Sequence, residues 1–165
     1  MSTTLPIPIR FDVPPGWRAA SPEEVGAPGA AFVAVHPPSD AGFTANITVD
    51  GQYRPDTASL PEIAEESVRH MSRSVASVLV TDRRETGSAD APGLTQTLAF
   101  SVVVGGGSHD LVQSQVYLAM LDVDDPHRRA VIRLAFTSSA SQHSALLDDF
   151  QDVVRSVRPG GRTTS

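Results

Sequence analysis

The sequence predicts an α+β domain in which an antiparallel β-sheet of about six to seven strands is flanked by two main helices. Apolar and polar residues alternate in several segments of the 165-residue chain, as is typical of strands with one buried face. Two other segments, around residues 60–75 and 141–157, repeat apolar residues at the helical period. The connections between the later strands are too short for crossover helices, which favours antiparallel pairing.

Three strands and one helical turn are predicted before the first main helix. The strands span residues 7–13, 30–36 and 43–49. The first contains Pro8, which lacks an N–H group and suits a sheet edge, and the second is apolar almost throughout, as expected of a central strand. Ser21 and Pro22 have the chemistry of a helix cap and a first helical position, which predicts one helical turn between these strands.

The first main helix is predicted to begin after Ser59. Ser59 and Glu62 have the spacing of a capping box, and Pro61 lies in the first turn, where its missing N–H group has no cost. On the outer side of the helix, Glu65 is expected to pair with Arg69, and Glu66 with either His70 or Arg69. The apolar positions that recur at the helical period are Leu60, Ile63, Ala64, Val68, Met71 and Val75.

Four further strands are predicted at residues 77–85, 94–104, 111–123 and 129–137. Residues with turn chemistry separate them at 91–93, 105–107 and 124–126. The four strands are therefore expected to form an antiparallel meander.

The second main helix is predicted at residues 141–157, with Ser139 or Ser141 as its N-cap. Asp149 and its acidic neighbours are expected to face water, and Phe150 is expected to be buried. The apolar stripe comprises Leu146, Leu147, Phe150, Val153, Val154 and Val157.

These elements are assigned to one domain over residues 1–158. A chain of this length buries a core large enough to be stable without disulfides. Residues 159–165 have turn and linker composition, and we expect them to form a disordered tail.

The composition argues against several classes of function. The chain has no cysteine, which excludes disulfides, thiolate metal sites and cysteine nucleophiles. Its net charge of −6 argues against nucleic-acid binding, because phosphate neutralisation needs clustered cations. The chain has arginines but no lysine, which is typical of a GC-rich bacterial genome. Without a signal-peptide pattern or a run of about 18 apolar residues, we expect a cytoplasmic protein with no stable membrane insertion.

The polar residues do not form a recognisable catalytic, cofactor-binding or metal-binding motif. The five histidines are too far apart in sequence for two metal ligands on one element, and the acidic loop at 122–125 lacks the calcium-loop pattern. The glycine-rich segment 105–108 lacks the lysine of a P-loop. Ser101, Ser114 and Ser138 fall within or at the ends of predicted strands and not in a nucleophile elbow. The sequence therefore predicts a protein that is not an enzyme and holds no cofactor or metal.

Three short strings carry a resemblance to a known family. They are Phe-Asp-Val-Pro-Pro-Gly-Trp at 11–17, Phe-Thr-Ala-Asn-Ile-Thr-Val at 43–49, and Asp-Phe at 149–150 followed by Ser-Val-Arg-Pro at 156–159. With the order of elements, they resemble the PsbP/Mog-type α/β/α sandwich, in particular its bacterial LpqN-like and Eag-chaperone-like branches. The resemblance implies a binding, assembly or chaperone protein, and it supplies no catalytic residue. The lipid-attachment cysteine of LpqN-like members is missing, which weighs against an envelope role.

One uncharged face of the predicted sheet has the composition of a binding surface. Gln113, Gln115 and Tyr117 alternate along one strand, and Gln96 on the preceding strand is expected to join them. Neutral amides and a tyrosine suit a face that binds a protein partner. The same residues also fit a face that lies under a helix with its amides satisfied locally, and the sequence leaves both alternatives open.

The sequence thus predicts a non-enzymatic protein-binding adaptor or assembly factor. A more specific version is a secretion-associated chaperone that shields an apolar segment of a client protein, with homodimerisation as a further option. The alternative from another class is a carrier of a small molecule or lipid, which needs a closed apolar cavity of about 300 Å³ or more.

Overall fold

The computed structural model describes residues 9–25, 29–40, 43–56, 58–88, 91–104, 106–121 and 129–159. The strands are β1 (Ile9–Arg10), β2 (Arg18–Ala20), β3 (Phe32–Asp40), β4 (Phe43–Tyr53), β5 (Ala76–Gly87), β6 (Pro92–Val104), β7 (Gly107–Leu121), β8 (Arg129–Ser139) and β9 (Arg158–Pro159). The helices are α1 (Leu60–Met71) and α2 (His143–Ser156), and a 3₁₀ turn spans Pro22–Val25. The predicted α+β class is confirmed.

Seven strands form one antiparallel sheet in the order β2-β3-β4-β8-β7-β6-β5. The predicted meander is confirmed, because β5, β6, β7 and β8 are consecutive neighbours. The hairpin of β3 and β4 joins the meander through the pairing of β4 with β8. The outer neighbour of β3 is β2, a three-residue strand that the sequence pattern does not predict.

The first predicted strand does not belong to this sheet. Only Ile9 and Arg10 of that segment form a strand in the described part of the chain, and they pair with Pro159 and Arg158 in a separate two-stranded ladder. Pro159, the first residue of the predicted tail, is therefore paired. Residues 160–165 and the acidic loop within 122–128 lie outside the described residues.

The sequence signals at the start of α1 are confirmed. Ser59 Oγ accepts a hydrogen bond from the Glu62 backbone N–H, and the Glu62 carboxylate accepts one from the Ser59 backbone N–H. Leu60, Ile63 and Ala64 are buried against the sheet. The outer acidic residues pair with arginines outside the helix, and not with a basic residue one turn later, because those arginines reach the helix surface from neighbouring segments.

The second helix begins two residues later than predicted. Its N-cap is Gln142, which makes no side-chain capping bond, so the predicted cap at Ser139 or Ser141 is wrong. Ser139 is still part of β8, and this pairing leaves the chain no room to start a helix earlier. The carboxylate of Asp149 accepts a 2.9 Å hydrogen bond from Trp17 Nε1, which anchors the helix to the segment before β2.

The two helices lie on opposite faces of the sheet. Phe150 on α2 packs against Phe136 and Ile47 in the main core. On the other face, Ile63 on α1 packs against Leu94. The helix α1 contacts β5, β6 and β7, whereas α2 contacts β8. Each helix therefore covers a different half of the sheet.

Candidate functional site

The four residues of the predicted uncharged face lie on the α1 side of the sheet. Gln96 belongs to β6, and Gln113, Gln115 and Tyr117 belong to β7. Gln96 and Gln115 are each 1% exposed, Tyr117 is 2% exposed and Gln113 is half-buried. The face lies under a helix, which is the second of the two alternatives. The first alternative, an exposed face that touches a partner directly, is wrong while α1 is in place.

A chain of side-chain hydrogen bonds satisfies these buried amides. Gln96 Nε2 donates to Gln115 Oε1 over 2.6 Å and to the backbone carbonyl of Ala64 on α1. Tyr117 OH donates to the same Gln115 Oε1 over 2.8 Å, and burial raises the pKa of the Tyr117 phenol. Gln115 Nε2 in turn donates to Gln113 Oε1. Each buried amide therefore has a partner within the protein.

The amide chain continues beyond these four residues at both ends. Gln113 Nε2 donates to Thr137 Oγ1 on β8 over 2.8 Å. At the other end, Arg83 Nε donates to Gln96 Oε1 and Arg83 Nη2 donates to Glu65 on α1, each over 2.9 Å. The chain thus connects four neighbouring strands with the helix that covers them, and its contribution is to hold α1 on the sheet.

The opposite face of β5 and β6 is not covered by any described helix. Measured across its strands, a sheet of seven strands is about 29 Å wide, whereas one helix is about 10 Å wide. The helix α2 lies over β8 and β4, where Phe150 meets Phe136 and Ile47. The remaining half of this face leaves room for one more helix.

A groove of about 420 Å³ lies beside α2 on this uncovered half. Thr95 and Thr97 from β6 and Val116 from β7 form its floor. Leu147 and Val154 form the wall on the α2 side, where both side chains are half-buried and pack on the main core. The groove therefore combines a floor of small side chains with an apolar wall.

The far side of the groove is the edge strand β5. Leu79 on this strand is 62% exposed, which is unusual for a leucine on a sheet. Asp82 and Arg84 form an ion pair of 3.3 Å beside the groove, and Arg155 completes the charged rim from α2. The rim carries charges of both signs.

The backbone edge of β5 is protected against pairing with another chain. The register of β5 shifts twice, between Ala76 and Leu79 and between Val80 and Asp82. Ser77 at the first shift has a φ of 59°, in the left-handed region. Bulges and charged residues at a sheet edge oppose edge-to-edge association. Another molecule can therefore reach this half of the sheet through its open face and not through its edge.

A histidine network joins α2 to the sheet near the groove. His143 Nε2 lies 2.9 Å from Ser114 Oγ, and His143 Nδ1 lies 2.9 Å from Ser138 Oγ. Because Ser138 donates its only hydroxyl proton to the Ser139 carbonyl, Nδ1 carries the ring proton and Nε2 accepts from Ser114. The ring also stacks on Phe136 with centroids 4.5 Å apart. No sequence spacing predicts this network, since its members are brought together only by the fold.

The His143 network predicts a loss of stability in mild acid. Burial lowers the pKa of His143 below its ordinary value of about 6.5, so the folded state binds fewer protons than the unfolded state. The stability that His143 contributes is complete above pH of about 6.5 and decreases as the pH falls toward the lowered value. Urea unfolding at pH 7.5 and 5.5 measures this decrease. His143→Gln is expected to show a smaller decrease than the wild type, and an equal decrease contradicts the role of His143.

Within the described residues, no helix is long and apolar enough to span a bilayer. The same residues contain no cluster of three or more histidine, aspartate or glutamate side chains with the geometry to hold a metal ion.

No protein-family model matches the sequence, and no curated protein sequence matches it. The fold, however, is similar to several solved structures. LpqN of Mycobacterium tuberculosis, which is involved in cell envelope biogenesis, superposes with a TM-score of 0.63 at 15% identity, over 92% of this chain and 84% of LpqN.

Two further structures come from other organisms. The Ran-binding protein Mog1p of Saccharomyces cerevisiae superposes with a TM-score of 0.58 at 15% identity, over 92% of this chain and 89% of Mog1p. Cyanobacterial PsbP of Synechocystis sp. PCC 6803 superposes with a TM-score of 0.53 at 14% identity, over 92% of this chain and 86% of that protein. Identities this low carry the fold and not the function. The chain has the PsbP/Mog-like fold that the sequence strings predicted.

Proposed function

We propose that this protein is a non-enzymatic adaptor that docks an amphipathic helix of another protein in the groove beside α2. The observation that carries the proposal is that α1 covers β5 and β6 on one face of the sheet, whereas no described helix covers these strands on the other face. The apolar side chains at this open half are Leu147 and Val154 on the groove wall and the exposed Leu79 on β5, and a bound partner would remove them from water.

The hydrogen bonding of the groove floor favours a helix as the occupant. The backbone groups of β6 are paired with β5 on one side and with β7 on the other. The floor therefore offers no free backbone partners to an extended segment lying across it. A helix satisfies its own backbone groups and brings only side chains to the floor.

The side chains of the groove define the chemistry of that helix. The small floor residues Thr95 and Thr97 leave space for apolar side chains of the partner, which then meet Leu147 on the wall. The rim of Asp82 and Arg155 fits a helix with charges of both signs flanking its apolar stripe. Such a rim supplies specificity more than affinity.

The similar structures support a protein-interacting role in general terms. Mog1p is a Ran-binding protein, and LpqN is involved in cell envelope biogenesis. The finer assignments are part of the proposal: a cytoplasmic location, a secretion-associated chaperone that shields a client segment, and a relationship to the LpqN-like or Eag-chaperone-like branch.

Binding fits the site better than catalysis. Ser114 and His143 have the contact of a nucleophile with its base, but Ser114 lies in the middle of β7. Its backbone neighbours are paired with β6 and β8, so they do not form a pocket of free N–H groups for an oxyanion. A carrier function also fits less well, because the groove is open to solvent and has a charged rim, whereas a lipid carrier encloses its ligand.

Site-specific photo-crosslinking tests the proposal. A photoreactive residue replaces Thr97 on the groove floor in the full chain, expressed in its native host, and the adduct is mapped by mass spectrometry. Thr48, a half-buried threonine of β4 on the opposite face, is the matched control. We expect Thr97 adducts on a segment of another protein whose apolar residues recur every three or four positions. Adducts on this chain itself or on a second copy, equal labelling from Thr48, or no adduct from Thr97 would overturn the proposal.

A further inference from the structure

A second cleft, of about 540 Å³, lies on the other face of the sheet between α1 and the strands β4 and β8. Its size is within the range of small-molecule sites. The walls include Gly29, Gly51 and Tyr117, and the remaining lining is dominated by ionisable groups. These groups are Asp50, Glu66, Arg69, His70, Arg73 and Arg133.

The two acidic groups of this cleft are already neutralised. Asp50 accepts a 2.6 Å hydrogen bond from Arg133 Nη2. Glu66 accepts two bonds of 2.8 Å from Arg54, and this contact lowers the pKa of the Glu66 carboxyl. Both carboxylates therefore already have a guanidinium partner, and they do not compete for other cations.

The basic groups at the C-terminal end of α1 are in the opposite situation. Arg69 lies in the last turn of α1 and Arg73 lies two residues beyond its end; both are exposed, and His70 lies next to Arg69. Among the described residues, these three side chains make no hydrogen bond or ion pair. Within the described part of the chain, two arginines of one cleft thus lack a hydrogen-bond or ion-pair partner, although the net charge of the chain is −6.

The base of the cleft also contains a donor without an acceptor. Arg133 donates through Nη2 to Asp50 and through Nη1 to Ser67 Oγ over 3.1 Å. Its Nε is buried and has no hydrogen-bond partner within the described part of the chain. A buried donor that lacks a partner is unfavourable, so an acceptor that reaches it is favoured.

We propose that this cleft binds a small organic anion with at least two anionic groups, each a phosphate or a carboxylate. One group meets Arg69 and Arg73 at the helix end of the cleft, where guanidinium groups bind planar or tetrahedral oxyanions bidentately. The other group accepts from Arg133 Nε at the base. The cleft is much larger than a single phosphate ion, and a molecule with two separated groups uses both ends.

Isothermal titration calorimetry on the full chain tests this site with two probes, inorganic pyrophosphate and citrate. We expect saturable one-to-one binding of at least one probe, and the probe that binds identifies phosphate or carboxylate as the preferred group. The double variant Arg69→Gln/Arg73→Gln is expected to weaken binding by about ten-fold or more. Both residues are exposed, so the fold is retained.

Arg84→Gln is the matched control, because Arg84 is an exposed arginine on the opposite face. Its affinity for the probe is expected to equal that of the wild type. Absence of saturable binding of both probes, or equal weakening by Arg84→Gln and by the double variant, would overturn the proposal. This site is on a different face from the groove beside α2, so either proposal fails or stands without the other.

Discussion

Phe150→Asp is expected to unfold the domain at neutral pH. Phe150 is 1% exposed and packs on Phe136 with ring centroids 5.5 Å apart, in the core that holds α2 on the sheet. Truncating a buried phenylalanine alone costs about 3–5 kcal/mol, and the charge of an aspartate in the same place adds a desolvation cost. The sum is comparable to the whole stability of a typical domain, about 5–15 kcal/mol. Near-UV circular dichroism and urea unfolding measure the loss.

Gln151→Asp is the control for this variant. Gln151 is the next residue of the same helix and is exposed, so an aspartate at this position introduces the same charge without burying it. We expect its free energy of unfolding to remain close to that of the wild type. A folded Phe150→Asp protein with an intact near-UV spectrum would contradict the assignment of this core.

Gln115→Leu is expected to lower the free energy of unfolding by about 2–3 kcal/mol, because it leaves buried partners unsatisfied. Gln115 accepts from both Gln96 and Tyr117 and donates to Gln113. A leucine of similar size fills the space but offers no acceptor. Urea unfolding measures the effect.

A double-mutant cycle separates the amide chain from simple packing. The variant Gln96→Leu removes the donor of the 2.6 Å bond, and the double variant removes both of its partners. Replacing both partners of that bond by apolar groups is nearly neutral, because neither partner is left unsatisfied. The loss in free energy of unfolding in the double variant is therefore expected to be smaller than the sum of the losses in the two single variants, by about 1 kcal/mol or more. Additive costs would show that the two amides do not depend on each other.

The elements with strong local signals were predictable from the sequence. The capping box of Ser59 and Glu62, with Pro61 in the first turn, defined the start of α1 to the residue. Alternation and turn residues likewise located β5 to β8, because hairpin connections force neighbouring strands to pair. In these cases, residues close in sequence determine the structure.

The features that were not predictable depend on contacts between distant parts of the chain. The three residues of β2 are too few for a periodic pattern and form a strand only beside β3. The start of α2 is set by the end of β8, where Ser139 remains paired. The strand β1 pairs with β9 across nearly the whole chain. No local signal contains this information.

The candidate site shows the same division. Alternation placed Gln113, Gln115 and Tyr117 on one face correctly, and Gln96 joins them across the β6–β7 ladder. Alternation does not reveal which face of the sheet a helix covers. The position of the amides under α1, with the accessible half on the opposite face of the sheet, was therefore not predictable. The network of Ser114 and His143 was missed for the same reason, since α2 meets β7 only in three dimensions.

The most direct test of the groove is the affinity of the crosslinked partner segment, made as a synthetic peptide. Binding is measured for the wild type, for Thr97→Arg in the groove floor and for Thr48→Arg on the opposite face, with circular dichroism of the peptide in the bound state. We predict that the peptide becomes helical on binding, and that Thr97→Arg weakens the affinity by about ten-fold or more while Thr48→Arg leaves it unchanged. Equal affinity for Thr97→Arg and the wild type, or a bound peptide without helix, would contradict the proposed docking of a helix in this groove.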